Sequence, residues 1–222
     1  MIEDKLKILK KKFSVLNIDG YIVPKNDEFF SEYDVNNRLK NISLFTGSAG
    51  FAVILKKNNY LFVDGRYTIQ AQNESGKKFK IIEIHKKLPG ELIKNFNLGF
   101  DPTLITSKQL NFYFSNKNQF TSVDKNLIDT IFKKKNIKTK QFYSLNKKII
   151  GESHNSKIKK IINFLKKNKA DHLFISAPEN VAWVLNIRGY NNPNSPIPNC
   201  RLIIGKNKKL FVISKKENCK KI

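Results

Sequence analysis

Two continuous apolar runs, Phe51–Leu55 and Tyr60–Val63, constrain this chain more than any other feature. The polar residues 56–59 join the two runs, so the pattern predicts a β-hairpin. Neither run alternates with polar residues, which indicates that the hairpin is buried on both faces. Gly47 and Gly50 precede the first run, and we expect them to allow a tight entry and close backbone packing there.

The segment Asp64-Gly65-Arg66-Tyr67 follows the second run, where a helical pattern begins. A charged group at a strand-to-helix junction indicates either a helix cap or a functional site. As a cap, Asp64 accepts hydrogen bonds from free backbone amides, Gly65 takes a positive φ, and Arg66 pairs with a carboxylate. The residues alone leave both interpretations open.

The hairpin lies within a region of about 132 residues in which strands and helices alternate, and this alternation predicts an α/β domain over residues 1–132. Apolar spacing, proline positions and a candidate cap at Thr106 define the other elements. Predicted helices cover residues 2–16, 28–41, 66–75, 89–96 and 106–114, and predicted strands cover 20–24, 79–84, 98–101 and 120–123.

A second unit follows a lysine-rich segment, residues 133–150, which we interpret as a linker. Residues 151–222 predict a helix, a strand, a helix that begins at Pro178, a proline-rich loop and two further strands. We expect Trp183 to be a core residue of the second helix and Gly189 to cap that helix in a left-handed conformation. The sheet of this unit would be unfinished and would expose an apolar edge.

The formal net charge of +24 suggests nucleic-acid binding, but the kind of basic residue argues against a specific site. Only four of the 42 basic residues are arginines, and arginine is the usual donor for paired contacts to bases and phosphates. The lysines are scattered in short pairs, as on solvated surfaces. We therefore expect no specific nucleic-acid partner.

Other classes of protein also lack their signatures. No run of 18 or more apolar residues exists, so we expect no membrane span. The first residues contain no apolar segment of the signal-peptide type, which predicts a cytoplasmic location. Cys200 and Cys219 have no CxxC spacing and no histidine at ligand spacing, which argues against a disulfide framework and a zinc site.

The three histidines, His85, His154 and His172, each lack neighbouring carboxylates at metal-ligand spacing. A hydrolase with two metal ions needs several carboxylates that converge on the ions, whereas the 18 acidic residues here are dispersed. We expect no catalytic residues and no metal ligands within this chain.

Five segments together resemble the N-terminal region of the Xaa-Pro aminopeptidases, or aminopeptidases P, a metallopeptidase family. They are "DGYIVPKNDEFFSEY", "LFTGSAGFAVI", "LFVDGRYTIQA", "PENVAWVLNIRG" and "NNPNSPIPNCRLII". The resemblance implies a creatinase/prolidase-type, ribonuclease H-like domain, in which helices flank a mixed sheet, over residues 1–132. Residues 151–222 would be an incomplete second domain of the same kind. The catalytic domain, of the pita-bread type and with a divalent metal pair of manganese or zinc, would lie outside this chain.

The resemblance also gives candidate residues for the substrate pocket or a subunit interface: Arg66, Tyr67, Arg188, Asn192 and Pro193. In this interpretation Arg66 points toward the catalytic centre, whereas Gly47, Gly50, Asp64 and Gly65 serve the backbone. The family usually has a histidine-polar pair where this chain has Phe29-Phe30, so we expect a more apolar surface at that position.

The leading hypothesis is a non-catalytic N-terminal portion of a cytoplasmic Xaa-Pro aminopeptidase. The portion would shape the pocket for Xaa-Pro peptides and support a homodimer, with the missing catalytic domain as its partner. The alternative is a free-standing creatinase-like module that binds peptides or proteins without hydrolase activity.

Overall fold

The computed structural model describes residues 2–31, 36–132, 140–146, 148–190, 192 and 194–214. The chain divides into two compact units, Met1–Lys135 and Asn136–Ile222, which we call the first and the second unit. Phe142 is buried in the core of the second unit, although the sequence places it in the linker 133–150. The lysine-rich sequence around Phe142 has no periodic apolar pattern that would signal its burial.

A six-stranded mixed sheet forms the centre of the first unit, with strand order β4-β3-β2-β1-β5-β6. The strands are β1 (Gly20–Pro24), β2 (Gly50–Leu55), β3 (Asn59–Val63), β4 (Lys80–Glu83), β5 (Asn97–Phe100) and β6 (Gln119–Ser122). The predicted hairpin is confirmed as the antiparallel pair β2–β3. β2 is antiparallel to both of its neighbours, while all other adjacent pairs are parallel. The other five strands therefore end at the same edge of the sheet.

Helices cover both faces of this sheet, which explains why β2 and β3 are apolar without alternation. On one face lie α1 (Ile2–Val15), α2 (Arg38–Ser43) and α3 (Thr68–Ser75), which pack over Ala52 and Ile54 of β2. On the other face lie α4 (Pro89–Leu92) and α5 (Ser107–Phe114), beside Phe51, Val53 and Leu55. Successive residues of β2 thus enter two separate cores. Each fully buried apolar side chain contributes roughly 1.5–3 kcal/mol.

The helix predicted at residues 28–41 is wrong at its beginning, because α2 begins only at Arg38. The Asp27 carboxylate accepts hydrogen bonds from the backbone amides of Phe29 and Ser31, both at 2.9 Å. Such a local turn competes with helical hydrogen bonding. The helix after Pro89 is also shorter than predicted and ends at Leu92. The cap at Thr106 is confirmed, since its hydroxyl accepts from the Gln109 amide.

The second unit contains a three-stranded antiparallel sheet with the order β11-β10-β8, and two helices pack on one of its faces. A separate short pair, β7–β9, joins residue 143 to residue 188. The elements are β7 (Tyr143–Ser144), α6 (His154–Lys167), β8 (His172–Ile175), α7 (Pro178–Leu185), β9 (Ile187–Arg188), β10 (Arg201–Gly205) and β11 (Leu210–Ile213).

The opposite face of this sheet carries apolar side chains that are about half exposed, Phe174, Phe211 and Ile213. The prediction that Trp183 is a core residue is wrong, because its side chain is 59% exposed. In α7 the buried residues Val181, Ala182 and Val184 share one face. At about 100° per residue, position 183 then points away from that face.

Asn186, rather than the predicted Gly189, ends α7 in a left-handed conformation, with φ 54° and ψ 36°. Asparagine tolerates this region because its short amide side chain makes local hydrogen bonds. Here the Asn186 amide nitrogen donates to the Glu152 carbonyl at 2.9 Å, which ties the end of α7 to the segment before α6.

Lys157 of α6 is buried, and its ammonium donates to the Trp183 carbonyl at 2.6 Å and to the Asn186 side-chain oxygen at 2.7 Å. The ammonium also lies 4.2 Å from the centroid of the Trp183 ring. Burial lowers the pKa of Lys157. The lysine therefore acts as a C-terminal cap for α7 that is supplied by another helix.

Lys157→Met should destabilise the second unit by about 1–3 kcal/mol, because methionine keeps the packing volume but leaves two acceptors without their donor. Hydrogen exchange of the α7 amides measures the loss. Lys159→Met, at an exposed position of the same helix, is the control and should leave the exchange rates unchanged. Equal protection in both variants would contradict the capping role.

Candidate functional site at the carboxyl edge of the first sheet

Charged and polar side chains follow the parallel strands of the first unit at the edge where these strands end. Lys25 follows β1, Asp64 follows β3, His85 lies two residues after β4, and Asp101 follows β5. In open α/β sheets this edge is where ligands usually bind. The topology therefore brings together residues that are dispersed along the sequence.

Asp64 caps the short 3-10 turn Gly65–Tyr67 that leads into α3. One carboxylate oxygen accepts the Arg66 backbone amide at 3.0 Å and the Arg66 Nε at 2.9 Å. Arg66 therefore pairs with the carboxylate of Asp64, two positions before it in the chain. The prediction of a positive φ at Gly65 is wrong, as no glycine in the described part of the chain has one.

The Arg66 side chain lowers the pKa of the Asp64 carboxyl to about 2, mainly through its hydrogen bond, and the Arg66 backbone amide contributes next. His85 adds a smaller effect, with its Nε2 at 3.7 Å from the carboxylate. A depressed pKa stabilises the fold above the unfolded value of about 3.9. That contribution is lost as the pH falls toward 2.

Arg66→Ala should therefore raise the Asp64 pKa from about 2 toward the unperturbed value, because the largest cause of the depression is removed. The remaining bond from the backbone amide should keep the pKa below about 3.9. Carbon-detected NMR of the Asp64 carboxyl measures the titration. His85→Ala is the control and should shift the same pKa less. An unchanged Asp64 pKa in Arg66→Ala would show that the ion pair does not persist in solution.

Tyr67 lies between the turn Gly65–Tyr67 and the core that α1, α2 and α3 form with β2. Its hydroxyl is 2.8 Å from the Ser48 hydroxyl, and its ring packs edge-to-face on Phe45, with centroids 6.0 Å apart. The Arg66 guanidinium lies 5.6 Å from the centroid of the same ring. The Arg66 side chain is still 74% exposed, so its charge faces solvent in an orientation set by Asp64 and Tyr67.

Gly47, which precedes β2, and Gly50, its first residue, both lie against close neighbours, as expected. A Cβ atom on Gly50 would lie 2.8 Å from the Phe62 carbonyl oxygen, which is part of the neighbouring strand. A Cβ on Gly47 would lie 2.3 Å from the Phe45 ring. Side chains at these positions would push β2 away from β3 or displace Phe45.

A cavity of about 270 Å³ opens at this edge, between the ends of β1 and β3 and the helix α5. Its inner wall is aromatic, since the rings of Phe51 and Phe62 stack at 5.2 Å and Tyr113 lies 5.0 Å from Phe51. The polar residues of its lining are Lys25, Asn26, Asp64, His85 and Gln109.

A second polar cluster at the same edge is built around Arg38, which is only 2% exposed. Its guanidinium donates two hydrogen bonds to Asp129, both at 2.9 Å, and one to Glu28 at 2.7 Å. Asp129 is 91 positions away along the chain, so no local spacing signals the pair.

The candidates in the second unit make local contacts. The Arg188 guanidinium donates to the Ile187 carbonyl at 2.8 Å and to the Ala182 carbonyl at 3.3 Å. Asn192 is buried and its amide donates to the Asn199 side-chain oxygen at 3.3 Å. Pro193 lies outside the described residues. Four of the five candidates for the pocket or interface are described, and among these Arg66 is the one whose charge is largely exposed.

A metal site would need a cluster of ligands, and the described residues contain no group of three or more His, Cys, Asp or Glu side chains that could hold an ion. Within the same residues, no helix is long and apolar enough to cross a membrane.

Comparison with known proteins finds the same family in both units. Two family models, each described as Creatinase/Prolidase N-terminal domain, match residues 5–131 and 133–221. Probable Xaa-Pro aminopeptidases P of Coprinopsis cinerea and Laccaria bicolor are 30% and 33% identical over 86% and 87% of this chain. The chain spans about a third of the length of these relatives, 33% and 32%.

A crystal structure of X-prolyl aminopeptidase from Caenorhabditis elegans, a cytosolic enzyme with a di-nuclear active site, is similar over the whole chain. The TM-score is 0.85 at 27% identity, and the match covers 100% of this chain and 40% of that one.

Proposed function

Because the chain belongs to the Creatinase/Prolidase N-terminal domain family, we propose that it is the non-catalytic N-terminal portion of a cytoplasmic Xaa-Pro aminopeptidase. One observation carries this proposal: both units match that family in succession, and together they match the C. elegans enzyme at a TM-score of 0.85. The complete enzyme would release an N-terminal residue that precedes proline.

The role of this portion is to shape the substrate pocket and to support a homodimer. Arg66 is the residue best suited to reach a neighbouring domain or subunit, since its guanidinium is mostly exposed and is held in place by Asp64. A fixed guanidinium suits recognition of a carboxylate or a carbonyl, because it presents several N–H donors in one plane.

The metal pair, manganese or zinc, would lie in the catalytic domain, where it would activate a water molecule and polarise the scissile carbonyl. The described residues of this chain offer no cluster of ligands for it. The purified 222-residue chain should consequently release no residue from an Xaa-Pro peptide when manganese or zinc is added. Metal-dependent release by the chain alone would overturn the proposal.

Arg66→Ala in an enzyme of the relatives' full length should lower the turnover of Xaa-Pro peptides, because it removes the charge that faces the assembled site. The measurement is kcat and KM, together with hydrogen exchange of the first unit to show that its fold is retained. Lys86→Ala, a nearby exposed lysine, is the matched control for the loss of one positive charge. Turnover that is equal to the control per folded molecule would reject the role of Arg66.

A further inference from the structure

The cavity at the carboxyl edge of the first sheet combines three properties. It is small, about 270 Å³, which is below the range of about 300–1,000 Å³ typical for drug-sized ligands. Its aromatic wall consists of Phe51, which is 7% exposed, and the partly exposed Tyr113, while Phe62 is fully buried and stacks on Phe51. Its lining also includes groups of both charges.

The positive group is Lys25, which is only 9% exposed although it lines the cavity. An ammonium carries three N–H donors, so Lys25 can donate to a ligand in addition to its contacts within the protein. Gln109 provides a second donor. Its side-chain oxygen accepts the Thr106 amide at 2.9 Å in the helix cap, and its amide nitrogen has no partner among the described residues.

The negative group is Asp64. One of its oxygens accepts both short bonds from Arg66, while the other has longer contacts, 3.5 Å to the Arg66 guanidinium and 3.7 Å to His85. Asn26 provides a neutral acceptor beside it. Its amide nitrogen donates to the Leu104 and Asp27 carbonyls, and its side-chain oxygen has no donor within the described part of the chain.

We propose that this cavity binds a free α-amino acid with an apolar side chain. The ligand carboxylate would accept from Lys25 and the Gln109 amide, and its ammonium would donate to Asp64 and the Asn26 side-chain oxygen. Its side chain would lie on the aromatic wall. Because groups of both charges line the cavity, it favours a molecule that carries both charges. This site lies in the first unit and is independent of the proposed peptidase function.

The test is an NMR titration of the ¹⁵N-labelled 222-residue chain with L-leucine, followed through backbone amides of the cavity residues. We expect saturable shifts in Phe62, Ile84 and Tyr113. Leucinamide lacks the carboxylate and N-acetyl-leucine lacks the ammonium, so each should bind at least about ten-fold more weakly, equivalent to about 1.4 kcal/mol. These two ligands also distinguish a free amino acid from one terminus of a longer peptide.

The decisive variant is Gln109→Glu, which keeps the acceptor of the helix cap but replaces the free amide donor by a carboxylate. It should weaken L-leucine binding at least ten-fold. Gln119→Glu, an exposed position outside the cavity, is the matched control and should bind as the wild type does. Lys25→Met should also abolish binding. If the Lys25→Met variant does not fold, Gln109→Glu still tests the proposal.

Several results would overturn the proposal. They are shifts that do not saturate, saturable shifts at residues away from the cavity, and equal binding of leucine and leucinamide. Unchanged affinity in Gln109→Glu would overturn it as well. The chain needs no catalytic domain for this experiment, so its failure says nothing about the peptidase function, and the reverse also holds.

Discussion

Replacement of Arg38 by alanine should lower the free energy of unfolding of the first unit by about 3–5 kcal/mol. The guanidinium is 2% exposed and is the shared partner of Asp129 and Glu28. Its removal leaves the Asp129 carboxylate, whose side chain is only 17% exposed, without its paired donor. A buried charge that loses its partner costs far more than an exposed pair contributes.

Hydrogen exchange of the β1 and β2 amides measures this loss within the first unit. The single tryptophan, Trp183, lies in the second unit, so its fluorescence on urea unfolding reports that unit separately and should not change. Arg38→Lys should be intermediate, since lysine keeps the charge but not the two parallel bonds. Arg66→Ala, at an exposed pair, should have little effect on the same amides. Equal losses in Arg38→Ala and Arg66→Ala would contradict the structural role of the buried cluster.

Phe62→Ala should cost about 3–5 kcal/mol, the usual range for removing a buried phenylalanine. Phe62 is fully buried in β3, where its ring stacks on Phe51 at 5.2 Å. The neighbouring strands β2 and β4 pair with β3 on either side and hold its backbone in place, so the site has little freedom to collapse around the missing ring. The substitution should therefore leave a cavity continuous with the one at the edge of the sheet.

Denaturant unfolding followed by hydrogen exchange of the β3 amides measures this change. Phe112→Ala is the matched control, because that ring belongs to the same unit and is 65% exposed. It should change the stability by no more than about 0.5 kcal/mol. If Phe62→Ala also lowers the stability by no more than about 0.5 kcal/mol, the hairpin is not packed from both faces.

The hairpin, the cap at Thr106 and the beginning of α7 at Pro178 could be predicted from sequence, because each depends on residues within a few positions of one another. A strand that is apolar without alternation must be packed against other elements on both faces of its sheet. A Thr106–Gln109 cap forms wherever the two residues lie three positions apart at a helix start.

The candidate site was only partly predictable. The sequence indicated Asp64, Gly65 and Arg66 as a junction of interest, but it did not show that Asp64 holds Arg66 in place. Lys25, Asn26 and Gln109 carried no signal, since their meeting depends on the order of the strands. The direction in which the Trp183 side chain points depends on which face of α7 packs on the sheet. That face is decided only when the helix packs.

The sequence by itself thus determined the strands of the two larger sheets, most of the helices and the family, since these depend on local periodicity, caps and motifs in order. Only the tertiary structure decided which charges meet. Arg38 and Asp129 are 91 positions apart, and Lys25 and Asp64 follow different strands. Such pairs form because β1, β3, β4, β5 and β6 all end at one edge of the sheet, and that arrangement results from strand pairing over long distances in the chain.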